Sequence, residues 1–191
     1  MTVSKKTALL GVNDLKIFPI TKDDSSAFTC GNGIDVPGVR QISVTFEIDE
    51  KELTGDEKTL AVSSKIKSVT FTSEYAELSL DVLAALSGGT VEAPSSADAQ
   101  NFSLGENGKP GYFQLQAKID GTDSINGGDC HICIYKAKVT AMPINGVQSD
   151  FATYTFDGKG VFTEHKFDSE SKLIDIDFHA TAKDLSAKVS S

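Results

Sequence analysis

The residues with the most chemical potential are Cys130-His131-Ile132-Cys133. A CxxC spacing can be a dithiol redox pair or half of a structural zinc site. A redox pair needs its first thiol at a helix N-terminus, whereas this segment has the composition of a strand. On a strand, positions three apart point to opposite faces, so the two sulfurs diverge. A structural zinc takes four ligands, and the other cysteine, Cys30, stands alone beside glycines. Three cysteines also make an odd set, which argues against a disulfide framework. The expectation is buried, reduced thiols. The histidines are His131, His165 and His179. None sits beside a serine or carboxylate in a spacing that indicates a triad, so each is read as an ordinary strand-face residue. Asp175 and Asp177 face the same side of a strand and could share a cation. With no third ligand beside them, a solvated face is the simpler reading. Gly31-Asn32-Gly33 and Gly88-Gly89 lack the flanking residues of a phosphate-binding loop and read as a turn and a helix stop. No acid–base pair, nucleophile or metal set stands out, so no catalysis, cofactor or metal is expected.

The elements carrying these residues are mostly strands. In Val39 to Asp49, Ile42, Val44, Phe46 and Ile48 alternate with Gln41, Ser43, Thr45, Glu47 and Asp49. A period of two predicts one buried face and one wet face. The same pattern recurs over 67–75, where Ser68, Thr70, Thr72 and Glu74 are the polar partners, and over 113–119 and 174–178. Residues 129–140 begin apolar on both parities and read as a central strand. Residues 13–20, 151–156 and 160–167 are further strand candidates. One helix is expected, with Ser79 capping its first turn, Asp81 at its positive end and Gly88-Gly89 stopping it. Many strands plus one helix predict a mainly β fold: a β-sandwich or partial barrel with a flanking α-helix. Residues 50–65 and 92–111 read as long loops, and such loops are usually functional. Residues 1–183 are expected to form a single domain, and 184–191 a flexible tail.

The net charge of −9 and the single arginine, Arg40, exclude affinity for phosphate backbones through counterion release. No stretch approaches the roughly 18 apolar residues of a membrane helix. The apolar run Ala8-Leu9-Leu10 is too short for a leader, so synthesis in a cytoplasm is expected.

Several segments together resemble the major tail protein, or tail tube protein, of long non-contractile-tailed phages. They are Gly33-Ile-Asp-Val-Pro-Gly-Val-Arg leading into 41–49, and Lys51 to Val62 followed by Ser64-Lys-Ile-Lys-Ser-Val. The helical stretch Leu78 to Val91, Gly111-Tyr-Phe-Gln-Leu, Asp129 to Val139 and Phe151 to Gly158 complete the series. The order of segments across 11–167 carries the likeness rather than any single motif. The resemblance implies a virion protein, made in a bacterial host, that assembles into hexameric rings stacked as a tube. Its partners would be other copies of itself, the tape-measure protein, tail terminator and distal tail or baseplate proteins. DNA would pass through the lumen without specific binding, and no membrane is involved.

On that reading, Gln41, Ser43, Thr45, Glu47 and Asp49 with Ser68, Thr70, Thr72 and Glu74 line the channel. Hydroxyls and amides hold water there, and the acids repel phosphate. The 50–65 loop reaches the next ring: Leu53, Leu60 and Val62 dock, while Lys51, Glu52, Asp56 and Lys58 set register. The competing reading is a β-sandwich module that binds carbohydrate or a receptor. Such modules usually expose aromatics for stacking, and this chain has no tryptophan.

Overall fold

The alternating segments assemble into one large antiparallel sheet. The computed structural model describes residues 9–55, 58–92, 99–121, 128–146, 148 and 150–190. In chain order the strands are β1 (Leu9–Asp23), β2 (Phe28–Cys30), β3 (Ile34–Asp35), β4 (Val39–Gly55) and β5 (Lys58–Tyr75). Helix α1 (Leu80–Ser87) follows, then β6 (Thr90–Glu92), β7 (Asn101–Ser103), β8 (Phe113–Gly121) and β9 (Asp129–Ala141). The chain continues with β10 (Tyr154–Val161), β11 (Lys166–Phe167), β12 (Glu170–Ser171) and β13 (Ile174–Phe178). The main sheet runs β2-β1-β8-β9-β10-β5-β4, with β13 on β9 and β3 on β1. β6 pairs with β7 and β11 with β12 as separate ribbons. β1 and β4 lie near opposite ends of the path, yet their Cα atoms come within 8 Å. The sheet therefore curls back over its own inner face. The chain is mainly β with one helix, as its periodicity predicts.

The inner face holds the core. Leu15 and Ile17 of β1, Phe71 and Tyr75 of β5, Phe113 and Leu115 of β8, and Phe156 of β10 form one buried cluster. Helix α1 closes it with Val82 and Leu86. Ser79 caps the helix by accepting from the Val82 N–H, and Gly88 ends it in the left-handed region at φ 76°. In β10, a methyl group on Gly158 would overlap the Phe71 ring. Phe71 thus lies across the strand only because no side chain is there. Gly158→Ala is expected to cost about 1–3 kcal/mol by overpacking, read as a lowered denaturant midpoint at constant m-value.

Four sequence expectations change. Residues 50–55 and 58–65, read as a loop, continue β4 and β5 as a hairpin. Both faces of this ribbon meet solvent, so nothing imposes apolar–polar alternation on it. The tail is docked rather than free up to Ser190: Leu185 is buried, and the Lys188 N–H donates to Gln114 Oε1 at 2.8 Å. Ser190 exchanges backbone hydrogen bonds with Phe28, covering the edge of β2. Gln114 and Gln116, read as wet, are buried because they bond the carbonyls of Lys188 and Ser186. Lastly, one strand, β10, bridges the two candidates at 151–156 and 160–167.

Candidate assembly surface

The β4–β5 register brings the polar residues of the two strands together. Gln41 stands opposite Glu74, Ser43 opposite Thr72, Thr45 opposite Thr70 and Glu47 opposite Ser68. Directly opposed residues share a face, so eight of the nine residues read as a channel lining form one continuous patch. Asp49, opposite Lys65, extends it beyond a bulge. Gln41, Ser43, Thr45, Asp49 and Thr72 are exposed, and Glu47, Thr70 and Glu74 are half-buried. Ser68 is buried and donates to Glu47 Oε2.

The patch continues onto β10, which sequence reasoning did not include. Glu74, Thr72 and Thr70 pair with Thr155, Asp157 and Lys159. Lys159 Nζ bonds Glu47 Oε2, and Thr72 donates to Asp157 Oδ1 at 2.6 Å. Lys159, followed by Ser68, holds the Glu47 carboxyl below its ordinary range. Arg40 lies 3.7 Å from Glu74. Two of the acids expected to repel phosphate are therefore paired with cations. The patch is polar, and among the described residues Asp49 and Asp157 are its acids outside these ion pairs. Lys159 falls at the middle of Asp157-Gly-Lys159-Gly160, and the glycines obscured its alternation.

Beyond this patch the hairpin leaves the sheet. β10 pairs with β5 only from Val69 to Tyr75, so residues 48–66 have no third strand. At about 3.4 Å per residue, the arm projects roughly 25 Å. Every side chain described in it is exposed, among them Ile48 (58%), Leu53 (62%), Leu60 (66%) and Val62 (59%). Leu53, Leu60, Val62, Lys51 and Glu52 thus lie on the arm as read, and Lys58 opens β5. Asp56 lies outside the described residues. β4 also ends the sheet path, and among the described residues nothing pairs with its outer edge. An isolated ribbon bearing apolar side chains on a long open edge is marginal in water, and it is a template for pairing with another chain.

The other chemistry candidates resolve differently. Cys130 and Cys133 are buried on β9, and none of the three cysteines is in a disulfide. Burial pushes all three thiols up, Cys30 to about 11, so thiolate chemistry is suppressed. Asp175 and Asp177 bind Lys188 Nζ, and Asp175 also accepts from Tyr135 Oη. His165 is structural: Nδ1 donates to the Asp24 carbonyl at 3.2 Å, and Nε2 hydrogen-bonds Ser190 Oγ at 2.9 Å. An open groove beside α1 is lined by Pro19, Ile34, Ala84, Ala85 and Val91 together with Asp35, Ser79 and Asp81, and among the described residues it has no histidine, cysteine or basic side chain. Among the described residues, no helix is long and apolar enough to cross a membrane. No family model matches the chain, and a search of curated proteins finds no match.

Proposed function

We propose that this chain is a structural subunit that polymerises into a tube, in the manner of the phage tail tube proteins it resembles. One observation carries the reading: the arm over 48–66 exposes Ile48, Leu53, Leu60 and Val62 on a ribbon with no covering layer, beside the open edge of β4. A neighbouring copy meets both needs, burying the apolar side chains and pairing the edge. The asymmetry between sheet ends fits this. The β2 edge is covered by the chain's own Ser190, whereas the β4 edge is left for another molecule.

On this proposal the hydroxyl, amide and neutralised acid side chains of β4, β5 and β10 face the lumen of a virion tail. A hydrated wall without net positive charge gives DNA no counterion-release contacts, so it slides. The tape-measure protein would fill the same lumen during assembly, and terminator and distal tail proteins would close the ends. Negative-stain microscopy of concentrated, purified protein tests the reading. Rings or hollow tubes are the expected result. A strictly monomeric protein under all assembly conditions, retaining a sugar or other small molecule, would overturn it in favour of a binding module.

A further inference from the structure

At the far end of β9 lies a cluster that the assembly surface does not use. Asp129 and His131 are two apart on β9, so their side chains share a face. His179 follows β13 directly, and its backbone N–H donates to the Asp129 carbonyl at 2.8 Å. The three side chains therefore converge: one ligand atom from each lies within 4.8 Å of the others. The imidazoles of His131 and His179 meet edge to face, with centroids 4.4 Å apart.

Two of these atoms are buried without hydrogen-bond partners among the described residues: Asp129 Oδ1 and His131 Nε2. Their side chains are only 1% and 9% exposed. They stand 3.3 Å apart, yet without the alignment of a hydrogen bond. The other carboxylate oxygen is engaged. Asp129 Oδ2 accepts from the Lys183 N–H at 2.8 Å and lies 3.6 Å from Lys118 Nζ. These contacts fix the carboxylate with Oδ1 turned toward the imidazoles, as outer-shell groups orient a metal ligand. An orphaned carboxylate oxygen beside an orphaned imidazole nitrogen is costly in a dry site. A cation between them satisfies both.

We infer that Asp129, His131 and His179 form a binding site for a divalent transition cation, zinc foremost. Two imidazoles and a carboxylate are a borderline donor set of the kind that suits zinc, cobalt or nickel and disfavours magnesium or calcium. Ligand atoms on a tetrahedral zinc with bonds of about 2.0–2.1 Å stand roughly 3.3 Å apart. That matches the Asp129–His131 separation of 3.3 Å, and His179, within 4.8 Å of both, must close in to complete three corners, leaving the fourth for water. The site joins β9 to the segment leaving β13, so the bound cation is a staple for the C-terminal strap over 180–190. The strand spacing Asp-x-His was visible in the sequence, but pairing it with His179 required the β9–β13 register.

Cobalt substitution tests this on the untagged, intact chain. Adding Co²⁺ is expected to produce the visible absorption of a tetrahedral centre, saturating near one equivalent and lost on adding Zn²⁺. Zinc at about 100 times its dissociation constant is expected to raise Tm by roughly 5–10 °C. His179→Gln, at a half-buried position outside the core, is expected to weaken binding by more than about 100-fold and to remove the Tm shift. Asp129→Asn is expected to do the same. Absence of the cobalt spectrum from the wild-type chain would overturn the inference, leaving Asp129 and His131 as a direct polar pair without a metal. Unchanged metal affinity in a folded His179→Gln variant would also overturn it.

Discussion

Removal of residues 52–63 is expected to abolish polymerisation and leave a folded chain. None of the described residues in that stretch belongs to either buried cluster. The β5–β10 ladder starts only at Val69, so the sheet keeps its order when the arm is shortened. What is lost is ribbon hydrogen bonding, which water largely replaces, so the unfolding free energy from denaturant titration should change by no more than about 1 kcal/mol. Assembly should change in kind. Leu53, Leu60 and Val62 are the arm's outermost large apolar groups among the described residues, and on the proposal they are what a neighbouring copy grips. Sedimentation and electron microscopy, run beside the wild type under the conditions in which the proposal expects it to form tubes, would read the loss. A paired substitution, Leu53→Asp with Val62→Asp, keeps the arm but places charge where burial is required, and should raise the critical concentration more than tenfold. Tubes of normal length from the shortened chain would remove the arm from the assembly mechanism.

How far the sequence anticipated this surface depended on whether a face was buried. Over 39–45 and 69–75 one apolar row packs against the core, so alternation was enforced there and the polar rows of both strands were legible, whereas Phe46 and Ile48 continue the row into solvent. Over 50–65 neither face is buried, and the charged, irregular order of side chains looked like a loop although the backbone is a strand. Ser79, Asp81 and Gly88 foretold the helix because capping and stop chemistry is local. The docked tail was not legible. Its hold comes from the side chains of Gln114 and Gln116 reaching the carbonyls of Lys188 and Ser186, contacts separated by at least 70 residues of chain. Likewise, Lys159 reaches Glu47 across 112 positions, and that pair changes the charge of the proposed channel wall. Local pattern specified elements; long-range polar pairing, which has no period, specified what covers them.

The largest single stability effect is expected at another such pair. Lys136 Nζ lies 2.7 Å from Asp23 Oδ2, with side chains only 10% and 6% exposed. Asp23 also accepts from the backbone N–H groups of Glu164 and His165, tying the end of β1 to the segment after β10. Asp23→Ala leaves the Lys136 ammonium buried beside orphaned N–H donors. Breaking such a pair costs about 3–5 kcal/mol, and the lower end applies because the exposed Glu164 still reaches Lys136 at 3.1 Å. Adding Lys136→Met to that variant should recover part of the loss, since no buried charge then remains. Acid titration gives a second readout. Burial alone would raise the Asp23 carboxyl, but Lys136 and the two N–H donors outweigh it and hold it below its ordinary value. The pair's contribution is therefore complete above the unfolded carboxylate pKa of about 3.9, and is lost as pH falls through the lower folded value. The wild type should lose stability over that acid range more steeply than Asp23→Ala. Parallel stability curves for the two proteins below about pH 4 would mean the ion pair contributes nothing beyond its packing.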